Sequence, residues 1–355
     1  MDVLIKPKPI HNNNFHSSFI NLMKDENIQL PLRELEGEDY IQSLERHFDY
    51  YCSQLTFISD KQLHVIKDMI CPQIINIVKE DQFKAYEDFQ RLMKIHLLKD
   101  KLHIINDQLP IDGYGRTKVN LFRLRQVPHN KNYRKQDIFH QPKNIYTDKH
   151  RAPYRYSLED YPSLYLGTTI YSCDKELGSP LSRVIGSVFK INPDHQQNLY
   201  ILNIGNRPID YVKNKNKKEN IFYSENDYLF VYPLIAACSF VDPDENARNI
   251  LEYKLSNLLF RWFINENKDK VCGIRYFSCY DASYQITDKH DKVLLETKST
   301  HSFTKYFINY VFSTSDDIDC DGYCNKLKNV FSVSMPKFVH EYGGIREFET
   351  GIKNI

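Results

Sequence analysis

Three side chains with complementary chemistry lie within one short stretch of this sequence. Arg155, Tyr165 and Glu176 are separated by ten and eleven residues, inside APYRYSLEDYPSLYLGTTIYSCDKELG. An arginine binds a diphosphate through paired charge-assisted hydrogen bonds, a tyrosine ring stacks on a flat base, and a carboxylate stabilises positive charge developing on a sugar carbon. Together these residue types suit a cleft that holds a base, a diphosphate and a sugar.

The local sequence predicts how these side chains are positioned. SLYLG is a run of β-forming residues closed by a glycine, which indicates a short strand. The Thr168-Thr169 pair is suited to cap a helix that begins near Ile170. Ile170, Cys173 and Leu177 would form one stripe of that helix. A loop, a strand and a helix are therefore expected to bring the three side chains to one cleft.

The same stretch resembles a known family. RYSLEDYPSLYLGTTIYSCDKEL is similar to the core of the RES family, named for its arginine, glutamate and serine, in a longer variant with the pattern RYS-x-x-G-x-P-x-LYLG-x-S…E. NLFRLRQ upstream and CGIRYFSCYD downstream resemble two further segments of that family. The resemblance runs from about Val119 to Phe312 and leaves the N-terminal segment outside it.

The resemblance implies an activity and roles for individual residues. RES proteins are similar in fold to ADP-ribosyltransferases, with a twisted β-core around an NAD-binding cleft, so NAD+ would be a substrate and no cofactor is expected. Glu176 would stabilise the oxocarbenium-like state, while Arg155 and Arg123 would bind the diphosphate. Tyr165 would orient the nicotinamide, and Ser278 would hydrogen-bond the ribose or a phosphate. For Glu176, an exposed helix carboxylate is the alternative interpretation.

Further residues are predicted to contact the substrate: Arg123, Arg125, Tyr156 and Tyr276. LFRLRQ is predicted as a strand, in which alternate side chains share a face, so Arg123 and Arg125 are expected to face one phosphate-binding cleft. An exposed strand arginine is the alternative for both. Asp160-Tyr161 and Asp174-Lys175 depart from the family pattern at the edge of the cleft, which bears on substrate scope.

The order of patterns predicts an α+β protein with four parts. Residues 1–36 are polar and proline-bearing, and are expected to form an irregular arm. Residues 37–110 are predicted to form a small helical module, residues 115–315 the RES-like catalytic domain with its twisted β-core, and residues 316–355 a C-terminal extension. The length of 355 residues agrees with more than one domain.

Apolar spacing supports these assignments. Ile41, Leu44, Phe48 and Tyr51 recur at helical spacing, SDKQ fits a capping box, and a further helix would carry Phe83, Tyr86, Phe89 and Met93 on one stripe. These stripes are interpreted as internal core, with docking onto the catalytic domain or a partner as the alternative. Strands are predicted at GSVFKI, NLYILNI, KVCGIRYFSCYD and KYFINYVFST, with YLFVYP as a short buried run and an amphipathic helix over Asp244 to Asn265.

Composition narrows the classes of function. The formal net charge of +1 gives no support to nucleic-acid or membrane-surface binding. The sequence shows neither a secretory signal nor a long apolar run, and its eight cysteines suit reduced thiols, so a cytoplasmic protein is expected. Cys320 and Cys324 lack further ligands at zinc spacing, so no metal site is expected.

Several functional alternatives stay open. Water, phosphate or a protein side chain as acceptor would make an NAD+ glycohydrolase, an NAD+ phosphorylase or an ADP-ribosyltransferase, each suited to a bacterial toxin or defence effector. A catalytically silent module that senses NAD or another nucleotide is the alternative from another class. The resemblance implies an inhibitory antitoxin or immunity protein as partner, or a homo-oligomer. A chain that begins near Lys99 is expected to keep the activity if it folds.

Overall fold

The fold is taken from a computed structural model, which describes residues 13–35, 37–95, 98–105, 120–127, 133–135, 138, 155–156, 163–177, 184–192, 198–213, 223–241, 250–279, 285–287, 293–296, 308–314 and 324–339. Within these residues an N-terminal group of helices precedes a mixed β-sheet with further helices. The α+β prediction, with helices first, is therefore confirmed.

The N-terminal part is helical from residue 13 onward. Its helices are α1 (Asn13–Lys24), α2 (Tyr40–Gln54), α3 (Asp60–His64), α4 (Cys71–Lys79), α5 (Gln82–Ile95) and α6 (Leu98–Lys101), with a 3-10 turn at Glu26–Ile28 and a π-helical segment at Val65–Ile70 joining α3 to α4. The predicted capping box is confirmed, because Ser59 accepts from the Gln62 backbone and the Gln62 side chain accepts from the Ser59 backbone. Each bond satisfies an amide that a helix start leaves without an intrahelical partner.

Helix α1 corrects the prediction of an irregular arm over residues 1–36. Phe19, Leu22 and Met23 are buried, and Phe15 packs against them at the edge of the core. These apolar residues recur every three or four positions, which is helical spacing. The surrounding asparagine, histidine and serine residues gave the segment its polar composition. Residues 1–12 lie outside the described residues.

A mixed sheet forms the second part. Its strands are β1 (Ile104–Ile105), β2 (Asn120–Gln126), β3 (Ser163–Gly167), β4 (Val184–Ile191), β5 (Leu199–Asn203), β6 (Val271–Phe277), β9 (Ile308–Ser313), β10 (Phe331–Val333) and β11 (Lys337–Phe338), while β7 (Gln285–Thr287) and β8 (Val293–Glu296) pair separately. The order is β1-β5-β6-β9-β3-β2-β4-β10, with β11 also on β4. β5 and β6 are parallel. The predicted strands at β2 to β6 and β9 are confirmed.

The C-terminal extension belongs to this sheet. β10 and β11 both pair antiparallel with β4, and helix α11 (Asn325–Val330) precedes them. Leu327, Val330 and Phe331 are buried in the main hydrophobic core. The described part of residues 316–355 therefore completes the β-core, which corrects its assignment as a separate extension.

The remaining helices of the second part are α7 (Ile170–Leu177), α8 (Pro208–Lys213), α9 (Glu225–Ala237) and α10 (Ile250–Glu266). YLFVYP lies in α9, where every residue from Tyr228 to Ala237 is buried, so the predicted burial is confirmed in a helical form. Residues 242–249, where the predicted helix over Asp244 to Asn265 begins, lie outside the described residues. Helix α9 is apolar on all sides, so it requires packing neighbours on all sides.

The N-terminal helices supply some of the neighbours against which α9 packs. The Tyr40 hydroxyl donates to the Ala237 carbonyl at 2.7 Å, and the Tyr51 hydroxyl donates to the Leu229 carbonyl at 2.8 Å. One continuous cluster of buried apolar residues includes residues of α1, α2, α4, α5, α6, α9, α10 and the sheet. The helical module thus docks on the rest of the chain, the alternative that the sequence left open. No helix among the described residues has the length and apolar character to cross a bilayer.

Candidate active site

The turn from β3 into α7 positions Glu176. Thr169 Oγ1 accepts a hydrogen bond from the Ser172 backbone at 3.2 Å, so the predicted cap is confirmed. Gly167 ends β3, and a Cβ there would lie 2.7 Å from the Cys173 Sγ, closer than side chains normally approach. A glycine is therefore needed where the chain folds back from strand to helix.

The apolar stripe of α7 fixes the helix on the sheet. Ile170 is fully buried against Phe122 and Val188, with Cys173 and Leu177 at the edge of the same cluster, as predicted. The Cys173 thiol also donates to the Phe122 carbonyl at 3.1 Å. Because this stripe faces β2 and β4, the neighbouring Glu176 is left to reach toward the middle of the sheet.

Glu176 reaches two polar side chains on the central strands. Asn309 on β9 donates from Nδ2 to Oε1 at 2.5 Å, and the Ser278 hydroxyl, one residue after β6, donates to the same carboxylate. Burial raises the pKa of Glu176 to about 7, although the Ser278 hydrogen bond, the positive charge of Arg155 and the Asn309 hydrogen bond each act to lower it. A half-buried carboxylate is thus held in place and titrates near neutrality.

This raised pKa predicts a pH-dependent stability. The pKa lies above the ordinary value of 4.5, so the folded protein keeps a proton that the unfolded chain has released, and the free energy of unfolding falls as pH rises from 4.5 to about 7. Glu176→Gln removes the buried charge, so we expect the variant to be more stable than the parent by about 1–3 kcal/mol at pH 8. Urea unfolding at several pH values measures this difference.

The gain should shrink toward about pH 5, where the parent carboxyl is itself protonated. A gain of the same size at both pH values would show that the charge is not its cause.

Arg155 lies close to Glu176 and is held by backbone carbonyls. Its guanidinium donates to the Cys238 carbonyl at 2.9 Å and to the Phe240 carbonyl at 2.6 Å, and its Cζ lies 4.9 Å from the centre of the Tyr253 ring. Burial acts to lower its pKa, but nearby thiol and phenol groups, with Cys279 the largest contributor, raise it above the ordinary value, so the side chain stays protonated. A fixed positive charge therefore acts electrostatically on the carboxylate of Glu176.

The carbonyls that hold Arg155 belong to a segment that the N-terminal part fixes in place. Leu32 donates to the Ser239 carbonyl and accepts from the Val241 amide, both at 2.8 Å. The ring of Tyr40 packs edge-on against Phe240, with 4.7 Å between ring centres. Residues outside the resemblance thus contribute to positioning a predicted site residue.

Three tyrosines lie near the cluster at different depths. Tyr165 is half-buried, and its hydroxyl accepts from the Tyr156 backbone at 3.1 Å. Tyr156 and Tyr276 are only 1% and 5% exposed, with 4.8 Å between ring centres. The two rings pack against each other and are almost inaccessible, and their contact with a substrate stays a prediction.

Arg123 and Arg125 lie on the other face of the sheet. Phe122 pairs with Gly167 across β2 and β3, and directly paired residues share a face, so Phe122 is on the face that carries Tyr165. Alternation then sets Arg123 and Arg125 on the opposite face. Arg123 is 6% exposed and pairs with Ser187 of β4. The two arginines share a face as predicted, but that face is not the one that carries the cluster.

The sequence interpretation missed further polar residues near Glu176. Arg207 follows β5, and Cys279 follows Ser278 after β6; because these strands are parallel, both residues lie at the same edge of the sheet. The charges of Arg155 and Arg207 lower the pKa of the Cys279 thiol, whereas burial and Glu176 raise it more. Asn309 could have been identified from the sequence, because a polar residue within the apolar run YFINYVF indicates a buried polar contact.

No group of histidine, cysteine, aspartate and glutamate suited to a metal ion occurs among the described residues. Cys324 is buried, and Cys320 lies outside the described residues. What the cluster offers chemically is one carboxylate with its hydrogen-bond donors, a nearby guanidinium and a half-buried aromatic ring.

Comparison with known proteins gives a similarity to one curated protein whose name describes it as a putative toxin. The chain is 25% identical over 261 residues to the curated protein named "Putative toxin YopC" from Bacillus subtilis (strain 168), an alignment that covers 71% of this chain and 53% of the relative. The chain therefore spans about half the length of that relative. No family model and no solved structure matches the chain.

Proposed function

We propose that this chain is a RES-type enzyme that cleaves the bond between nicotinamide and ribose in NAD+, and that it acts as a toxin or defence effector. The observation that carries the proposal is the carboxylate of Glu176, held by Asn309 and Ser278 and acted on by the charge of Arg155. The similarity to a protein named as a toxin supports the cellular role.

The chemistry of NAD+ needs little more than such a carboxylate. When the C–N bond breaks, its electron pair leaves with the nicotinamide nitrogen, which neutralises the charge that the ring already carries. No acid is needed for this leaving group, and positive charge builds up on the ribose carbon, as in glycoside cleavage. Ionised Glu176 stabilises that charge, and water or phosphate then adds to the same carbon and releases a proton.

The other residues serve binding. Arg155 adds the positive charge that suits a diphosphate, with part of its guanidinium already engaged by the carbonyls of Cys238 and Phe240. Tyr165, half-buried beside the cluster, offers a ring face to the nicotinamide. Ser278 positions Glu176 through its hydrogen bond, and would also hydrogen-bond the ribose or a phosphate.

The test is to incubate the full-length protein with NAD+, with and without inorganic phosphate, and to weigh the products. We expect release of nicotinamide, together with ADP-ribose if water is the acceptor or a phosphorylated ADP-ribose if phosphate is. A labelled protein substrate would reveal transfer to a side chain. NAD+ binding without release of nicotinamide would contradict the proposal and favour the silent sensing module.

The pH profile gives a second measurement of the same reaction. Because ionised Glu176 is the active form, we expect kcat/KM for NAD+ to fall tenfold per pH unit well below an apparent pKa of about 7. This dependence reports the free enzyme. A rate that rose as pH fell below 7 would instead assign Glu176 an acid role and contradict the mechanism.

A further inference from the structure

A cavity in the N-terminal helices contains a pair of thiols. Its volume is about 340 Å³, and its walls come from α2, α4 and the π-helical segment between α3 and α4. Cys52 of α2 and Cys71, the first residue of α4, both line it, together with Asp49 and Lys67. This cavity is separate from the Glu176 cluster and plays no part in the proposed reaction.

The two thiols interact, and their pKa values are shifted in opposite directions. The interaction with the Cys71 thiol lowers the pKa of Cys52 and the charge of Lys67 adds to the lowering, whereas burial and the charges of Asp49 and Asp68 oppose it. The pKa of Cys71 is raised, first by burial and then by its contact with Cys52. Cys52 is therefore the thiol that ionises first, and Cys71 holds the proton beside it.

Other described cysteines lack this arrangement. Burial raises the pKa of Cys173, Cys238 and Cys272 to about 12 in each case, and none of the three lines the cavity. Cys52 and Cys71 are 6% and 3% exposed, which leaves access only through the cavity. The π-helical segment carries Lys67 into this wall, and π-helical turns are frequent at functional sites.

We propose that Cys52 and Cys71 form a reversible disulfide with a low-molecular-weight disulfide, such as oxidised glutathione, as the oxidant. The Cys52 thiolate attacks one sulfur of that disulfide, which breaks its S–S bond and releases one thiolate. Cys71 then loses its proton and attacks the Cys52 sulfur of the mixed disulfide, which releases the second thiolate. The protein loses two electrons and two protons, and the oxidant is reduced to two thiols.

The bridge would connect α2 to α4. Helix α2 also carries Tyr40 and Tyr51, whose hydroxyls donate to carbonyls of α9. The thiol pair thus lies in the part of the chain that packs directly on α9, and not in a detached segment.

The test uses the reduced full-length protein and oxidised glutathione. We expect the mass to fall by two hydrogens and non-reducing peptide mapping to show one Cys52–Cys71 bridge, reversed by dithiothreitol. Cys71→Ser should stop at the first step and accumulate a glutathione adduct on Cys52, whereas Cys52→Ser should leave Cys71 unmodified. Cys272→Ser is the matched control and should form the bridge at the rate of the parent.

Three outcomes would overturn the proposal. The first is a bridge between other cysteines, and the second is protein that stays reduced while circular dichroism shows it folded. The third is an adduct that forms on Cys71 in Cys52→Ser as fast as on Cys52 in Cys71→Ser. None of these readouts depends on NAD+ cleavage, so the proposal stands or falls independently of the proposed function.

Discussion

Glu176→Gln is expected to lower the turnover of NAD+ by about two orders of magnitude or more and to change its dissociation constant by only a small factor. Glutamine keeps the shape of the side chain and an oxygen for the bonds from Ser278 and Asn309. It removes the negative charge, which acts on a ribose carbon that becomes strongly positive only in the transition state. Nicotinamide release measures turnover, and calorimetry measures binding.

A second carboxylate on the same helix provides the control. Asp174→Asn removes another carboxylate from α7 and should change turnover by no more than a few-fold. Equal losses of turnover and of binding in Glu176→Gln would indicate a ground-state contact, and would contradict the assigned role. Undiminished turnover would remove Glu176 from the mechanism altogether.

The parts of this site that the sequence predicts are those that depend on local structure. The cap at Thr169 and the stripe of Ile170, Cys173 and Leu177 follow from residue types and a period of 3.6 within one helix. Strand β2 is likewise evident from its own residues. These elements form where predicted because each local preference agrees with its packing.

The position of Arg123 shows where local information ends. Alternation along β2 predicts that Arg123 and Arg125 share a face, but it does not determine which face carries the cleft. That choice depends on the pairing of Phe122 with Gly167, which joins segments distant in sequence. A shift of one residue in this register would exchange the two faces, so the resemblance alone was a weak basis for assigning Arg123 to the diphosphate.

Local patterns also could not predict how much of the chain folds together with the candidate site. The apolar stripes of α2 and α5 predict helices with one buried face, and the same stripes suit an independent bundle or a cover for another domain. Phe83 shows that apolar spacing alone does not determine burial. It belongs to the predicted stripe yet is 88% exposed, while Phe89 on the same helix is fully buried. The contacts with α9 and the shared cluster of buried residues show that the helical part and the sheet have one core.

Removal of residues 1–98 is therefore expected to abolish folding, so the condition on which the sequence expectation for the shortened chain depends would not be met. The shortened chain would lose the hydroxyls of Tyr40 and Tyr51, which satisfy carbonyls of α9, and would expose the apolar surface of that helix. Each large apolar side chain returned to water costs about 1.5–3 kcal/mol, against a total stability of about 5–15 kcal/mol for a typical protein. Soluble yield, size-exclusion chromatography and circular dichroism measure the loss.

Supplying the missing helices as a separate chain distinguishes lost packing from other causes. If the helices act by covering α9 and fixing the segment that holds Arg155, residues 1–98 expressed together with residues 99–355 should restore a soluble complex and, with it, NAD+ cleavage. A control pair in which residues 1–98 carry Tyr40→Ala and Phe89→Ala should restore less, because buried phenylalanine-to-alanine changes alone cost about 3–5 kcal/mol. A soluble, folded chain of residues 99–355 that cleaved NAD+ at the full rate would contradict the role given to the N-terminal helices, and would return the catalytic unit to the limits of the family resemblance.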